Sequence, residues 1–233
     1  MSSHPTLLQQ MIRSFLTEMR KPLWRNFIHA IKTYHMIQPG DRILLPSSLS
    51  SSSLLLSVMF IHLREHTEIP FALYWQENPT FFDTKIPRLQ EISVFLRDSI
   101  QVVSTFFTSA PSEHTLVVET TTLDDVAEKT LYCLFCQGRL RGIPPVSRLE
   151  VSAGRIIRPL YHIRRADIVS YFEPFLPFLP DTWKEPEPSI LRIRSLLEKM
   201  RTGNPDVDMN VFNSLHNVDL DTFPVSPRKE SFI

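Results

Sequence analysis

The 233 residues carry 25 basic and 25 acidic side chains, a formal net charge of zero, with 42% hydrophobic and 21% charged residues, the profile of an ordinary globular chain. No apolar run approaches the roughly 20 residues of a membrane helix, the longest being Leu54 to Ile61, and no basic segment with a short apolar core reads as a secretory signal. Two cysteines make no disulfide framework, so the expectation is a cytoplasmic protein.

In chain order, Leu8, Met11, Ile12, Phe15, Leu16 and Met19 fall at three- and four-residue spacing and predict a first helix. Lys21-Pro22 breaks it, because the residue before proline disfavours the helical region. A second helix carries Leu23, Phe27, Ile28 and Ile31 inward. Pro39-Gly40-Asp41 makes a turn, Arg42–Leu45 a buried strand, and Pro46–Ser53 a polar loop leading into a helix through Phe60. Serine suits the N-cap of that helix, since its hydroxyl accepts from a free first-turn amide. Phe71–Trp75 is a strand, Pro87–Arg97 a helix, and Gln101–Phe107 and Thr115–Val118 two further strands. Leu123–Phe135 is a helix, Arg155–Ile157 a short strand and Ala166–Phe172 a helix. Pro174, Pro177 and Pro180 mark an extended linker, and a last helix starts near Ser189 and stops before Gly203. Alternating strands and helices predict an α/β fold with a doubly wound parallel sheet. The chain divides into N-terminal helices over 1–38, an α/β domain over 39–173, a linker and helical segment over 174–223 and a tail over 224–233.

Five glycines in 233 residues fall well below the usual ~7%, and none lies between Gly40 and Gly138. Backbone amides cradle a phosphate closely only where side chains are absent or φ > 0 is accessible, so a dinucleotide fingerprint and a Walker loop are both excluded. Charge is unevenly spread. Met1–Leu45 has six basic residues against two acids, and Gly138–Arg165 has Arg139, Arg141, Arg148, Arg155, Arg158, Arg164 and Arg165 against Glu150 alone. Two basic surfaces suited to a polyanion are one reading, two solvated faces balanced elsewhere the other.

Gly40–Leu45 followed by the serine loop resembles the start of the tRNA 2-thiocytidine synthetases, PP-loop enzymes that continue Ser-Gly-Gly-Lys-Asp-Ser. Here Ser48 and Ser53 match the outer serines, Leu49 and Ser50 stand at the glycines, Ser51 at the lysine and Ser52 at the aspartate. Leu123-Asp124-Asp125-Val126-Ala127-Glu128 resembles the second motif, Gly-His-x-x-Asp-Asp-x-x-Glu-Thr, with Thr120, Thr121 and Lys129 at its Gly, His and Thr. Gln137–Pro145 is similar to Gly-Gly-x-x-x-x-Met-Pro-Pro, and Ile157-Arg158-Pro159-Leu160 with Arg164–Ile168 to Ile-Arg-Pro-Leu…Arg-Glu-x-Asp-Ile. The helix from Ser189 and the run Asn210 to Val218 resemble the family's C-terminal end.

The resemblance implies tRNA cytidine thiolation with ATP, magnesium and a 4Fe–4S cluster. The departures imply a degenerate member. Leu49 in a left-handed conformation would cost about 1–2 kcal/mol, and the missing lysine and aspartate remove a cationic partner and a magnesium ligand. Ser48, Ser50, Ser51, Ser52 and Ser53, with Asp124 and Asp125, form the vestigial nucleotide site; no catalytic residue is assigned. A cluster needs about three or four thiolates. The stretch between Phe107 and Thr115 is too short for the family's central Cys-x-x-Cys, and Phe178–Trp183 holds no cysteine.

Cys133 and Cys136 read as helical core residues, with a metal or redox pair as the alternative. Asp124 and Asp125 either line the old pocket or cap their helix. Arg139, Arg141, Arg158, Arg164 and Arg165 are the candidate tRNA contacts, and a homodimer is the candidate assembly. The function expected is a tRNA-thiolation relative with weak or absent ATP chemistry and retained tRNA binding. The rivals are a live enzyme with an unusual serine loop and a protein-interaction module.

Overall fold

The computed structural model describes residues 6–48, 50–76, 87–104, 113–150, 153–177, 179 and 187–217. Six strands form one sheet: β1 (Asp41–Leu45), β2 (Phe71–Gln76), β3 (Gln101–Val103), β4 (Thr115–Val118), β5 (Val146–Arg148) and β6 (Arg155–Ile157), in the order β3-β2-β1-β4-β6-β5. All neighbours are parallel except β5, which runs antiparallel to β6. Strand order grows one way from β1 through β2 to β3 and the other way through β4, so the topological switch point lies between β1 and β4. In sheets of this kind ligands sit beyond the carboxyl ends of the strands at that point.

The described helices are α1 (Leu7–Leu16), α2 (Asn26–Thr33), α3 (Ser51–Glu65), α4 (Pro87–Ser99), α5 (Leu123–Gln137), α6 (Arg165–Phe172), α7 (Pro188–Gly203) and α8 (Val207–Ser214). None is long and apolar enough to cross a membrane. The expected break at Pro22 is instead a π-helical turn, Arg20–Arg25, running directly into α2. Pro22 supplies no amide, and the backbone widens there without unwinding.

Two compact units divide the chain: 6–126 with 143–186, and 127–142 with 187–217, as far as described. In the first, Met11 and Phe15 of α1 share one buried cluster with Phe27, Ile43, Leu73, Leu116 and Ile157, so the N-terminal helices and the sheet have a common core. α3 is its centre: every residue from Ser51 to Ile61 is buried, the condition of a helix enclosed on all sides.

In the second unit, Ala127, Ile193, Leu197 and Val207 form a smaller core. Arg194 grips Glu128 with a two-pronged contact (Nε and Nη2 to the carboxylate, 2.9 and 3.0 Å), and Arg201 grips buried Asp208 likewise at 2.7 and 2.8 Å. The second fork ties α8 to α7, which accounts for a regular helix where the sequence shows only mixed polar and apolar residues.

Candidate functional site

The serine loop leaves the carboxyl end of β1 and the Thr120–Asp125 segment leaves that of β4, its parallel neighbour. The strand order thus brings both candidate motifs to adjacent strand ends at the switch point.

Ser50 is the N-cap of α3: its backbone is extended and its hydroxyl accepts from the Ser53 amide at 3.3 Å. It donates in turn to Ser53 Oγ at 2.9 Å, while Ser48 Oγ lies 2.6 Å from Ser53 Oγ and 3.3 Å from Ser50 Oγ. Ser57 donates to the Ser53 carbonyl at 2.9 Å. Three hydroxyls thus satisfy one another across the mouth of the helix. Ser51 and Ser52 are buried at 4% and 2% exposure, and Ser52 Oγ has no hydrogen-bond partner among the described residues. Leu49 lies outside the described residues, as do most of the segments considered for cluster cysteines (105–112, 178 and 180–186) and the tail from Pro224.

Across the switch point, Thr122 accepts from the Asp125 amide at 3.4 Å, and Asp125 accepts from the Thr122 amide and hydroxyl at 2.8 and 2.7 Å. This is a reciprocal capping box at the start of α5. The sequence signal for it is Thr122-x-x-Asp125. Asp125 also accepts from Arg165 Nη2 at 2.6 Å, and buried Asp124 accepts from the Arg165 amide at 2.8 Å. The two carboxylates hold the first turns of α5 and α6 together. Nearby Asp167 has its pKa raised by burial first and then by Asp124, against the lowering pull of Arg164 and its backbone hydrogen bond.

The arginines separate by environment. Arg158 is 7% exposed; Nε meets Glu119 at 2.8 Å, and Nη1 donates to the Pro144 carbonyl at 2.8 Å and to Ser147 Oγ at 3.0 Å. Its side chain closes the far end of β6 onto β5, a role that a charge count could not reveal. Arg165 is occupied by Asp125, and Arg164 is half-buried at the N-cap of α6.

Arg139 and Arg141, in the second unit, are exposed. They lie between two glycines kept for backbone reasons. Gly138 takes φ +62 where α5 ends, with the Arg139 amide donating back to the Cys133 carbonyl at 3.0 Å, a left-handed helix stop. A Cβ on Gly142 would meet Leu215 Cδ1 at 2.6 Å.

Cys133 is 1% exposed and Cys136 is exposed, so the pair divides between the inside and the outside of α5. These are the chain's two cysteines. They fall short of the three or four thiolates, roughly, that an iron–sulfur cluster takes, and the donor set does not fit one.

No family model matches the chain. The tRNA-cytidine(32) 2-sulfurtransferase of Aliivibrio salmonicida is 25% identical over 87% of this chain and 76% of its own length. Its namesake in Burkholderia multivorans is 24% identical over 85% of this chain and 70% of its own. Among solved structures, the U34-tRNA thiolase NcsA from Methanococcus maripaludis, with its 4Fe–4S cluster, superposes with a TM-score of 0.53 at 10% identity. That match covers 84% of this chain and 80% of the thiolase, and shows a shared fold.

Proposed function

We propose that the chain belongs to the tRNA 2-thiocytidine synthetase family of PP-loop proteins, as its 25% and 24% identical relatives support, and that it keeps tRNA binding while its nucleotide loop no longer supports ATP-driven thiolation. One observation carries the reading: the Ser48, Ser50 and Ser53 hydroxyls are bonded to one another at the helix mouth. A triphosphate there would have to displace these bonds without compensation from a loop lysine, glycine or aspartate, since 46–53 contains none. Asp124 and Asp125, the remaining acids beside the loop, hold Arg165 and the α6 amide.

For tRNA, Arg139 and Arg141 supply the contacts. They are exposed and follow the left-handed turn at Gly138, whereas Arg158 and Arg165 spend donors inside the fold. Calorimetric titration of Mg-ATP into the protein is expected to give no binding at micromolar concentration. Filter retention of tRNA is expected to be measurable and to weaken with salt. Micromolar Mg-ATP binding would overturn the first half of the proposal, and absent tRNA retention the second.

A second reading, a live enzyme with a serine loop, draws on Ser52: a buried hydroxyl in the first turn of α3 with no partner among the described residues is a spare donor. Pyrophosphate release from ATP with tRNA present separates the two readings.

A further inference from the structure

The carbonyl end of α3 carries a cluster unrelated to the serine loop at its other end. His62, Glu65 and His66 stand at i, i+3 and i+4, the spacing that places side chains on one helical face. One ligand-capable atom from each lies within 4.8 Å of the others. The two imidazole centroids are 4.1 Å apart, a separation at which two protonated rings would repel.

Two further features prepare the rings. His66 Nδ1 lies 2.8 Å from the His62 carbonyl oxygen. A carbonyl can only accept, so the proton sits on Nδ1 and the Nε2 lone pair of the neutral ring is left for another partner. That is how ligating histidines are commonly oriented. His62 is held edge-on to Trp24 at 5.1 Å and to Phe15 at 5.4 Å, which fixes its plane. The position also suits a cation, because the carbonyl end of a 15-residue helix carries the negative end of its dipole.

We propose that His62, Glu65 and His66 form a surface zinc(II) site of two imidazoles and one carboxylate, with water completing the coordination. Imidazole and carboxylate together suit zinc better than the hard cations, which take all-oxygen sets. Zinc bonds of about 2.0–2.1 Å require the donors to draw in by side-chain rotation. Glu65 is exposed and can swing toward the two rings. Zinc binding here would pin the last turn of α3 and bring charge beside Trp24. The inference is independent of what the serine loop does.

The test is calorimetric titration of zinc chloride into the chelator-treated full chain near neutral pH. One zinc per chain is expected. His66→Ala, at an exposed position where folding is undisturbed (checked by circular dichroism), should weaken binding by tenfold or more, since even an outer-shell partner is worth about 10–100-fold. The double variant Cys133→Ser, Cys136→Ser should bind zinc as the parent does. Copper(II) should quench part of the tryptophan emission of the parent, Trp24 being one of three tryptophans, and lose that effect in His66→Ala. No zinc uptake at micromolar metal, a smaller effect of His66→Ala, or loss of uptake in the cysteine variant would each overturn the site.

Discussion

Two loops leave adjacent parallel strands at the switch point, and they close their helix mouths with opposite materials. After β1, uncharged hydroxyls of Ser48, Ser50 and Ser53 satisfy one another. After β4, Thr122, Asp124 and Asp125 join with Arg165 in a charged lock between α5 and α6. Neither loop holds an obvious surplus of cationic donors, and a triphosphate site needs donors not already spoken for. The contrast teaches that two helix mouths at one sheet edge can be closed by different chemistry, hydroxyls on one side and an ion pair on the other.

The largest effect should come from the charged side, where Arg158 anchors the end of β6. Arg158→Ala strands Glu119, the Pro144 carbonyl and Ser147, and should cost about 3 kcal/mol, the low end for breaking a buried pair because the Glu119 side chain is 42% exposed. Urea unfolding reads this directly, and a loss below about 1 kcal/mol would make Arg158 a surface residue in energetic terms. Asp125→Ala should cost about 2 kcal/mol, roughly half from the cap and the rest from Arg165, left at 14% side-chain exposure without its carboxylate. Asp125→Asn should recover the cap part. Equal losses in the two variants would place the whole effect in the ion pair.

On the uncharged side, Ser53→Ala removes one hydroxyl shared by Ser48 and Ser50 and should cost about 1 kcal/mol. A neutral result would show the cluster to be slack, with room for an anion. Smallest in stability, Arg139→Ala with Arg141→Ala should stay within about 0.5 kcal/mol of the parent, yet lower the log–log salt slope of tRNA binding by about 0.7–0.9 per residue. An unchanged slope would move the tRNA contacts elsewhere.

Much of the fold is legible from periodicity. The strand at Arg155–Ile157 and the start of α5 at Leu123 fall where apolar spacing puts them, and α3 shows itself in the apolar segment Leu54 to Ile61, interrupted only by Ser57. β5 is not legible, because Val146-Ser147-Arg148 is too short to alternate and its strand character comes from antiparallel pairing with Arg155–Ile157, a partner the local sequence does not announce. α8 is hidden for a similar reason: Asp208 looks like a solvated acid until Arg201 covers it.

At the site, the serine N-cap follows from helix chemistry, and so does the capping role of Asp125. The arginines do not sort themselves in the sequence, since burial depends on which carboxylate or carbonyl the fold brings near. The histidines show no ligand spacing on a reading of the sequence, yet the i, i+4 pair His62 and His66 comes together on α3, where the His62 carbonyl and the Trp24 edge orient the rings.

The antiparallel β5 has a consequence for crowding. It ends the sheet on that flank with three residues, preceded by Pro144-Pro145 and finishing on exposed Arg148. An intruding strand from another molecule would find few amides in register, a stiff entry and a positive charge at the exit, which are the usual deterrents to runaway strand addition. On this flank the protein carries its own stopper against fibril growth.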